Sequence, residues 1–278
     1  MSTSLNYSGW KTDHGRILES FPGKTVMMLY SGGKDSSVVL HLMQQASRDF
    51  GFALKTFAGV FPQHVFSADD RQMLDRYWRR RGVVIDWHPI QETDERLDSA
   101  LSEGVSPCLI CNTAKKAALI RHLKKEAADM RSLVIIMSYS LWDLVSASIE
   151  HTLTSLFAVP DASPAVFHKS IEERFLETSQ RFYSLLEFKS GFAVFKPLIR
   201  YNDQDILQVI SEEGIPILAT TCRHRGYRPK RLFSSYYERM GLKFDFEKVL
   251  AFAQTAHRLP DASFFTQLGE DCYLKGAI

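Results

Sequence analysis

Five apolar runs divide the chain, and between them apolar residues recur at helical spacing. The runs cover residues 26–30, 54–61, 83–88, 133–138 and 193–198, the last ending at Pro197-Leu198. Short runs of this kind, bounded by turn residues, predict strands buried on both faces. After the first run, Val38, Val39, Leu42 and Met43 follow a helical repeat and predict a helix over 36–49. Comparable patterns predict helices over 68–81, 112–129 and 141–157. Repeated strand–helix alternation predicts an α/β fold, a doubly wound parallel sheet with helices on both faces and right-handed crossovers. Ligands of such sheets sit at the carboxyl ends of the strands, so Tyr30, Ser31, Phe61 and Ser138 are expected to line one crevice.

Beyond residue 160 the pattern is looser. A proline-bearing turn leads into a polar helix predicted over 169–187, which reads as an insertion or lid-like element. Asn202 or Asp203 is positioned to cap a helix reaching about Glu213, and two short helices are expected in the last fifty residues. No linker divides the chain. Residues 1–278 are expected to form a single domain, with 1–24 as an N-terminal helical extension and 223–278 as a C-terminal helical tail.

Composition narrows the class without naming a function. The chain has 278 residues, 45% hydrophobic and 24% charged, and a net charge of +2. So small a total gives no electrostatic case for nucleic acid, which must come from local clusters. Lys11, Asp13, Arg16 and Glu19 interrupt the first thirty residues, so no secretory signal is expected. No apolar run approaches the ~20 residues of a membrane span. Four cysteines without an export signal point to reduced thiols in the cytoplasm, and to metal or reactive roles before disulfides.

Chemistry concentrates first at Ser31-Gly32-Gly33-Lys34-Asp35-Ser36, between the first strand and its helix. A glycine turn feeding a helix N-terminus aims backbone N–H groups at one point, where the helix dipole adds partial positive charge; the result is an anion site. Gly32 and Gly33 are expected to supply positive φ, and Ser36 or Ser37 to cap the helix. Gly23-Lys24-Thr25 mimics the end of a Walker loop, but the required earlier glycine is replaced by Leu18 and no strand precedes it. Residues 31–36 match the signature of the N-type ATP pyrophosphatases, or PP-loop enzymes, at six consecutive positions. That resemblance implies a PP-loop, HUP-like fold and ATP cleaved between its α- and β-phosphates. Ser31, Gly32, Gly33, Lys34, Asp35, Ser36 and Ser37 would then hold the pyrophosphate, with Val60 and Ser138 near the adenosine.

Sulfur provides the second signal. Pro107-Cys108-Leu109-Ile110-Cys111 sets two thiols three apart, just before the predicted helix over 112–129, and Cys222 follows far downstream. The position before a helix and the nearby Lys115 and Lys116 are expected to favour thiolate. Cys108, Cys111, Cys222 and His224 would suit a tetrahedral zinc site; the thiols would equally serve as persulfide carrier and resolving group, or as plain buried cysteines. With the PP-loop, Pro-Cys-x-x-Cys and a later cysteine, the chain resembles the ATP-dependent tRNA 2-thiocytidine and thiouridine sulfurtransferases. Phe195-Lys196-Pro197-Leu198 fits that group's Phe-Arg-Pro-Leu segment with lysine for arginine. The resemblance spans roughly 24–235 and implies that Cys108, Cys111 and Cys222 hold a 4Fe–4S cluster with one iron open to sulfide.

One stretch departs from that group. Its Gly-His-x-x-Asp-Asp-x-x-Glu-Thr appears here as Ser138-Tyr139-Ser140-Leu141-Trp142-Asp143-Leu144-Val145-Ser146-Ala147, so only Asp143 remains to help hold Mg²⁺. As an acid in a first helical turn, Asp143 also reads as a dipole-favoured helix residue. Tyr139 and Trp142 can stack on a base or pack in the core. Arg223, His224, Arg225, Tyr227, Arg228, Lys230 and Arg231 form the densest basic stretch, suited to RNA phosphates, a triphosphate, a small acidic substrate or a solvated face. Arg76, Arg79, Arg80 and Arg81 complement a helix C-terminus and read as structural.

Together these features predict an ATP- and Mg²⁺-dependent sulfurtransferase that adenylates a carbonyl oxygen of a nucleobase, in tRNA or free, and replaces it with sulfur. Asp35 joins Cys108, Cys111 and Cys222 among the catalytic candidates. The implied partners are the nucleobase substrate and a sulfide or persulfide donor protein, with no membrane, and a homodimer is compatible with the chain. The same chemistry on a small molecule, giving a thioamide or thiopurine, is the alternative favoured by the missing acids. A sulfonucleotide reductase is a further alternative, weakened because Glu270-Asp271-Cys272-Tyr273-Leu274 lacks the Glu-Cys-Gly-x-His pattern. A nucleotide sensor without catalysis is the non-enzymatic option.

Overall fold

A computed structural model describes residues 5–126, 129–157 and 170–274. Helix α1 (Tyr7–Leu18) precedes β1 (Thr25–Leu29), and α2 (Lys34–Phe50) leads to β2 (Leu54–Val60). Then come α3 (Ala68–Arg79), β3 (Trp87–Pro89), α4 (Asp94–Ser102), α5 (Pro107–Glu126) and β4 (Leu133–Ile136). Helices α6 (Leu141–Thr152) and α7 (Ile171–Ser179) precede β5 (Leu185–Glu187), β6 (Ala193–Phe195) and α8 (Asp203–Glu212). Helices α9 (Pro229–Arg239), α10 (Phe246–Ala256), α11 (Ala262–Phe265) and α12 (Asp271–Leu274) finish the described chain. The strands form one six-stranded sheet in the order β3-β2-β1-β4-β6-β5, parallel except for β5. The order reverses between β1 and β4, which creates a crevice at their carboxyl ends.

Strand periodicity explains the two helical layers. Val26 and Met28 of β1 join a core with Trp10 and Leu18 of α1, Val38 and Leu42 of α2, Trp78 of α3 and Ile206 of α8. Met27, between them, faces the other way into a core with Leu123 of α5 and Phe265 of α11. All three β1 residues are fully buried, as a strand covered on both sides requires. Helix α1 is therefore part of the main core, and its Trp10 indole donates to the Pro197 carbonyl at 3.1 Å.

Several expected elements take a different form. The run at 83–88 pairs only from Trp87 onward. Upstream, Thr56 Oγ1 donates to the Val84 carbonyl and accepts from the Asp86 N–H, substituting a side chain for the ladder while Val83 and Ile85 pack inward. The polar helix expected over 169–187 stops at Ser179, and Leu185–Glu187 forms an antiparallel edge strand. The turn returning that strand to β6 contains Gly191, with φ +92, where a Cβ would stand 2.8 Å from the Arg131 carbonyl oxygen. The proline-bearing turn at 161–168 lies outside the described residues. The thiol pair is inside α5, not before it, because Pro107 opens the helix. Helix α4 was not expected, although Asp94 and Glu95 in its first turn are a helix-start signal. Four helices follow residue 228 among the described residues, where two were expected. Among those residues, no helix is long and apolar enough to cross a membrane.

At the end of β6, Lys196 is fully buried and its Nζ has no hydrogen-bond partner. Burial lowers its pKa from 10.5 to about 7. Between those values the unfolded chain holds a proton that the folded chain lacks, so stability should rise with pH from about 7 to 10.5. The Lys196 contribution to that slope is at most about 1.4 kcal/mol per pH unit. Lys196→Met is expected to flatten the slope and to stabilise the protein most at or below pH 7, as measured by denaturant unfolding across this range.

Candidate functional site

The turn after β1 opens the crevice. Gly32 has φ +72, and a Cβ there would lie 2.6 Å from the Leu218 side chain. Leu218 also donates its N–H to the Gly32 carbonyl at 2.9 Å, so the turn and the downstream segment fit only around a glycine. Gly33 is the N-cap of α2 in extended conformation, φ −81, which corrects the expectation of a second positive φ. Because Gly33 has no side chain to cap the helix, neither Ser36 nor Ser37 serves as N-cap, and the first N–H groups of α2 keep their capacity for an anion. Ser36 stays within the turn, with its hydroxyl donating to the Gly33 carbonyl at 3.0 Å and lying 2.9 Å from Ser31 Oγ. Ser37 turns inward to Tyr30, 3.3 Å away, so its hydroxyl does not face the crevice.

Charged residues beside the turn are already paired. Lys34 Nζ lies 2.6 Å from Asp35 and 2.9 Å from Asp203 at the start of α8. Burial works to lower the Lys34 pKa, but these two carboxylates outweigh it and hold the ammonium above its ordinary value. Burial also raises the Asp203 carboxyl, against the pull of Lys34. Asp143 accepts from the Ser140 N–H and hydroxyl at the start of α6 and is ion-paired with Lys230. Although burial pushes its pKa up, Lys230 and Ser140 bring it below the usual carboxylate range. Asp143 thus sits as a helix-start acid, with the Lys230 ammonium where Mg²⁺ was expected.

A cavity of about 280 Å³ adjoins the turn, lined by Ser31 and Gly33 and by all three candidate cysteines, Cys108, Cys111 and Cys222. Lys115, Arg225, Arg228 and Arg231 line it too. Cys108 and Cys111 are one turn apart on α5 and so share a face, and Cys108 Sγ lies 3.8 Å from the His224 carbonyl oxygen. The expected lowering of these thiols does not occur: burial pushes both up, with Arg228 acting against it at Cys108 and Lys115 at Cys111. Burial in turn lowers the Lys115 ammonium, which the neighbouring thiols oppose. Val60 ends β2 and Ser138 follows β4 at the carboxyl edge, but neither lines this cavity. Cys272 lies elsewhere, packed against the core of the opposite layer, and burial raises its thiol to about 11.

The unexpected α4 holds the Cys222 segment in place. Asp98 takes Arg223 at 2.6 Å and His224 at 3.3 Å, and the Arg223 N–H donates to His64 Nε2 at 3.1 Å. His64 is in turn 2.8 Å from Asp94. Asp94, Asp98, His64 and Asp203 carry no motif of their own; the helix-start signal at α4 is the one local cue that could have found the first two.

No protein-family model matches the chain, and no curated protein matches it in sequence. Among solved structures it is similar to the U34-tRNA thiolase NcsA of Methanococcus maripaludis, described with its 4Fe–4S cluster. The two are 15% identical, with a TM-score of 0.61 over 92% of this chain and 81% of that one. It also aligns with the NAD+ synthetase of Burkholderia pseudomallei, 16% identical, with a TM-score of 0.46 over 93% of each chain.

Gly32→Ala is expected to cost about 2–4 kcal/mol through backbone strain and the Leu218 clash. Adding Leu218→Ala should recover part of this, and unfolding of the two single variants and the double variant measures the coupling. At the level of fold, the expected doubly wound α/β sheet is met, and the chain shares the fold of the NcsA structure.

Proposed function

We propose that the chain is an ATP-dependent sulfurtransferase that activates a nucleobase carbonyl as its adenylate and exchanges the oxygen for sulfur. The observation carrying this reading is the single cavity shared by the Ser31–Ser36 turn, the Cys108–Cys111 pair and the distant Cys222. The Ser31–Ser36 turn and the N-terminus of α2 would hold the departing pyrophosphate, with Lys34 adding charge. A carbonyl oxygen attacks the α-phosphorus and pyrophosphate leaves; sulfide then attacks the activated carbon and AMP leaves with the oxygen. Mg²⁺ would be held by the phosphates, and Asp143 would join only by exchanging Lys230 for the ion.

The donor set suits an iron–sulfur cluster. Cys108, Cys111 and Cys222 are all free thiols. Burial disfavours the bare thiolates of Cys108 and Cys111, a penalty that bound metal removes. Such a cluster would supply an iron that takes up sulfide. Lys115 and Arg228 would balance its thiolate charge, and Asp98 and His64 would position the third ligand's segment.

The basic residues around the cavity, Arg225, Arg228 and Arg231, support a phosphate-bearing acceptor such as tRNA. Pairing of Lys230 with Asp143 and of Arg223 with Asp98 removes two cations from that surface. This supports the small-molecule thioamide or thiopurine as the second reading.

Anaerobically reconstituted protein is expected to be brown, with iron near ~4 per chain. Cys108→Ala, Cys111→Ala and Cys222→Ala should each lose the colour and the thiolation while retaining ATP binding. Colourless protein holding one zinc would exclude the cluster. Mass spectrometry of products from ATP, sulfide and either bulk tRNA or free bases separates the two acceptors, and absence of AMP and pyrophosphate with both would reject the sulfurtransferase.

A further inference from the structure

At the opposite end of α5 from the cysteines, Asp86, His88 and His122 come together across two elements. One ligand atom from each lies within 4.8 Å of the others, the one such group of three among the described residues. His88 is on β3, Asp86 just precedes it, and His122 lies about three turns beyond Cys111, about 16 Å along the helix. This places the group far from the cavity of the cysteines. The His88 and His122 rings are 4.3 Å apart, and Phe57 of β2 stacks on His88 at 4.6 Å and 19°. Phe57 also lies 5.0 Å from His122, so one buried ring supports both imidazoles.

The His88–Asp86 contact is unlike an ordinary ion pair. His88 Nε2 is 2.8 Å from an Asp86 oxygen, yet it is buried and has no hydrogen bond. The oxygen therefore stands off the line along which the ring nitrogen bonds. Two donors about 2.1 Å from one ion and at right angles around it stand about 3 Å apart, each aimed at the ion rather than at its neighbour. The Asp86 carboxylate is 56% exposed, and a surface depression lined by Asp86, His122, Lys55 and Glu126 leads to it. An ion would therefore have a route in, and water could complete its coordination.

We propose that Asp86, His88 and His122 form a binding site for a divalent transition-metal ion that ties the short edge strand β3 to α5. Two imidazoles and one carboxylate suit zinc, cobalt or nickel and disfavour magnesium and calcium, which prefer oxygen donors throughout. The strand β3 pairs with β2 at only three residues, so a cross-link from its start to α5 reinforces a short edge of the sheet. None of the three residues is among those proposed to hold ATP or sulfur.

Cobalt titration tests it in the full chain carrying Cys108→Ala, Cys111→Ala and Cys222→Ala, which removes competing thiolates. One equivalent of Co²⁺ should bind with visible d–d absorption and raise Tm. Adding His88→Ala or His122→Ala should weaken binding at least tenfold and abolish the Tm shift. Should the triple variant not fold, histidine-ring NMR of the unmodified chain reads the same site: Co²⁺ should shift His88 and His122 and spare His14. No binding below millimolar Co²⁺, binding unchanged by the histidine variants, or ring signals unmoved would overturn the site.

Discussion

The site depends on the docking of one irregular segment, residues 213–228, onto the turn after β1. Cys108 and the segment around Cys222 are joined by a contact spanning 116 residues of chain. Ordering each residue of such a segment costs about 1–2 kcal/mol, more than an exposed ion pair returns. Packing must therefore supply the anchor. Leu218 supplies it by lying against the main core, at the one place where Gly32 lacks a side chain. The Asp98–Arg223 pair is half-exposed and adds orientation more than energy. Gly32 thereby serves two demands: it lets the backbone turn toward an anion, and it makes room for the residue that delivers the third cysteine.

Around this contact, charge is arranged so that few groups are left alone. Lys34 is shared between Asp35 and Asp203, and Asp143 is matched by Lys230. Bound triphosphate would compete with carboxylates for these cations, so nucleotide binding and rearrangement of the ion pairs are linked. In the cysteine cavity, burial raises two thiols and lowers the neighbouring Lys115, so it works against the charged form of each. Positive charge added there would favour both thiolates at once.

Much of this was legible in the sequence because local patterns carried it. The apolar run at 26–30 and the turn at 31–36 marked the first strand and its helix without tertiary information. The pairing of Cys108 with Cys111 followed from their spacing, and their meeting with Cys222 came from family resemblance. Other features depended on contacts that no local pattern records. Thr56 replaces part of a strand ladder with its own hydroxyl, so the run at 83–88 looked longer than its pairing. Gly33 is extended because Gly32 alone makes the turn. Asp98 and His64 matter only through a segment more than a hundred residues away. The thiol shifts went against expectation because burial outweighed the cations nearby.

Helix α5 connects these regions mechanically. Its first two turns carry two cysteines at the carboxyl edge of the sheet, and its last turns carry His122 near its other end. Between them, Leu123, Leu119 and Ala118 pack on Met27 and Ile135 of the central strands. A helix held along its length transmits little bending, so the cysteine geometry is set by how firmly α5 is seated on the sheet. At the far end the neighbouring strand β3 is short, and Glu126 pairs with the exposed Lys55. Fixing that end would restrict rocking of the whole helix, and so would narrow the range of positions open to Cys108 and Cys111 at the other.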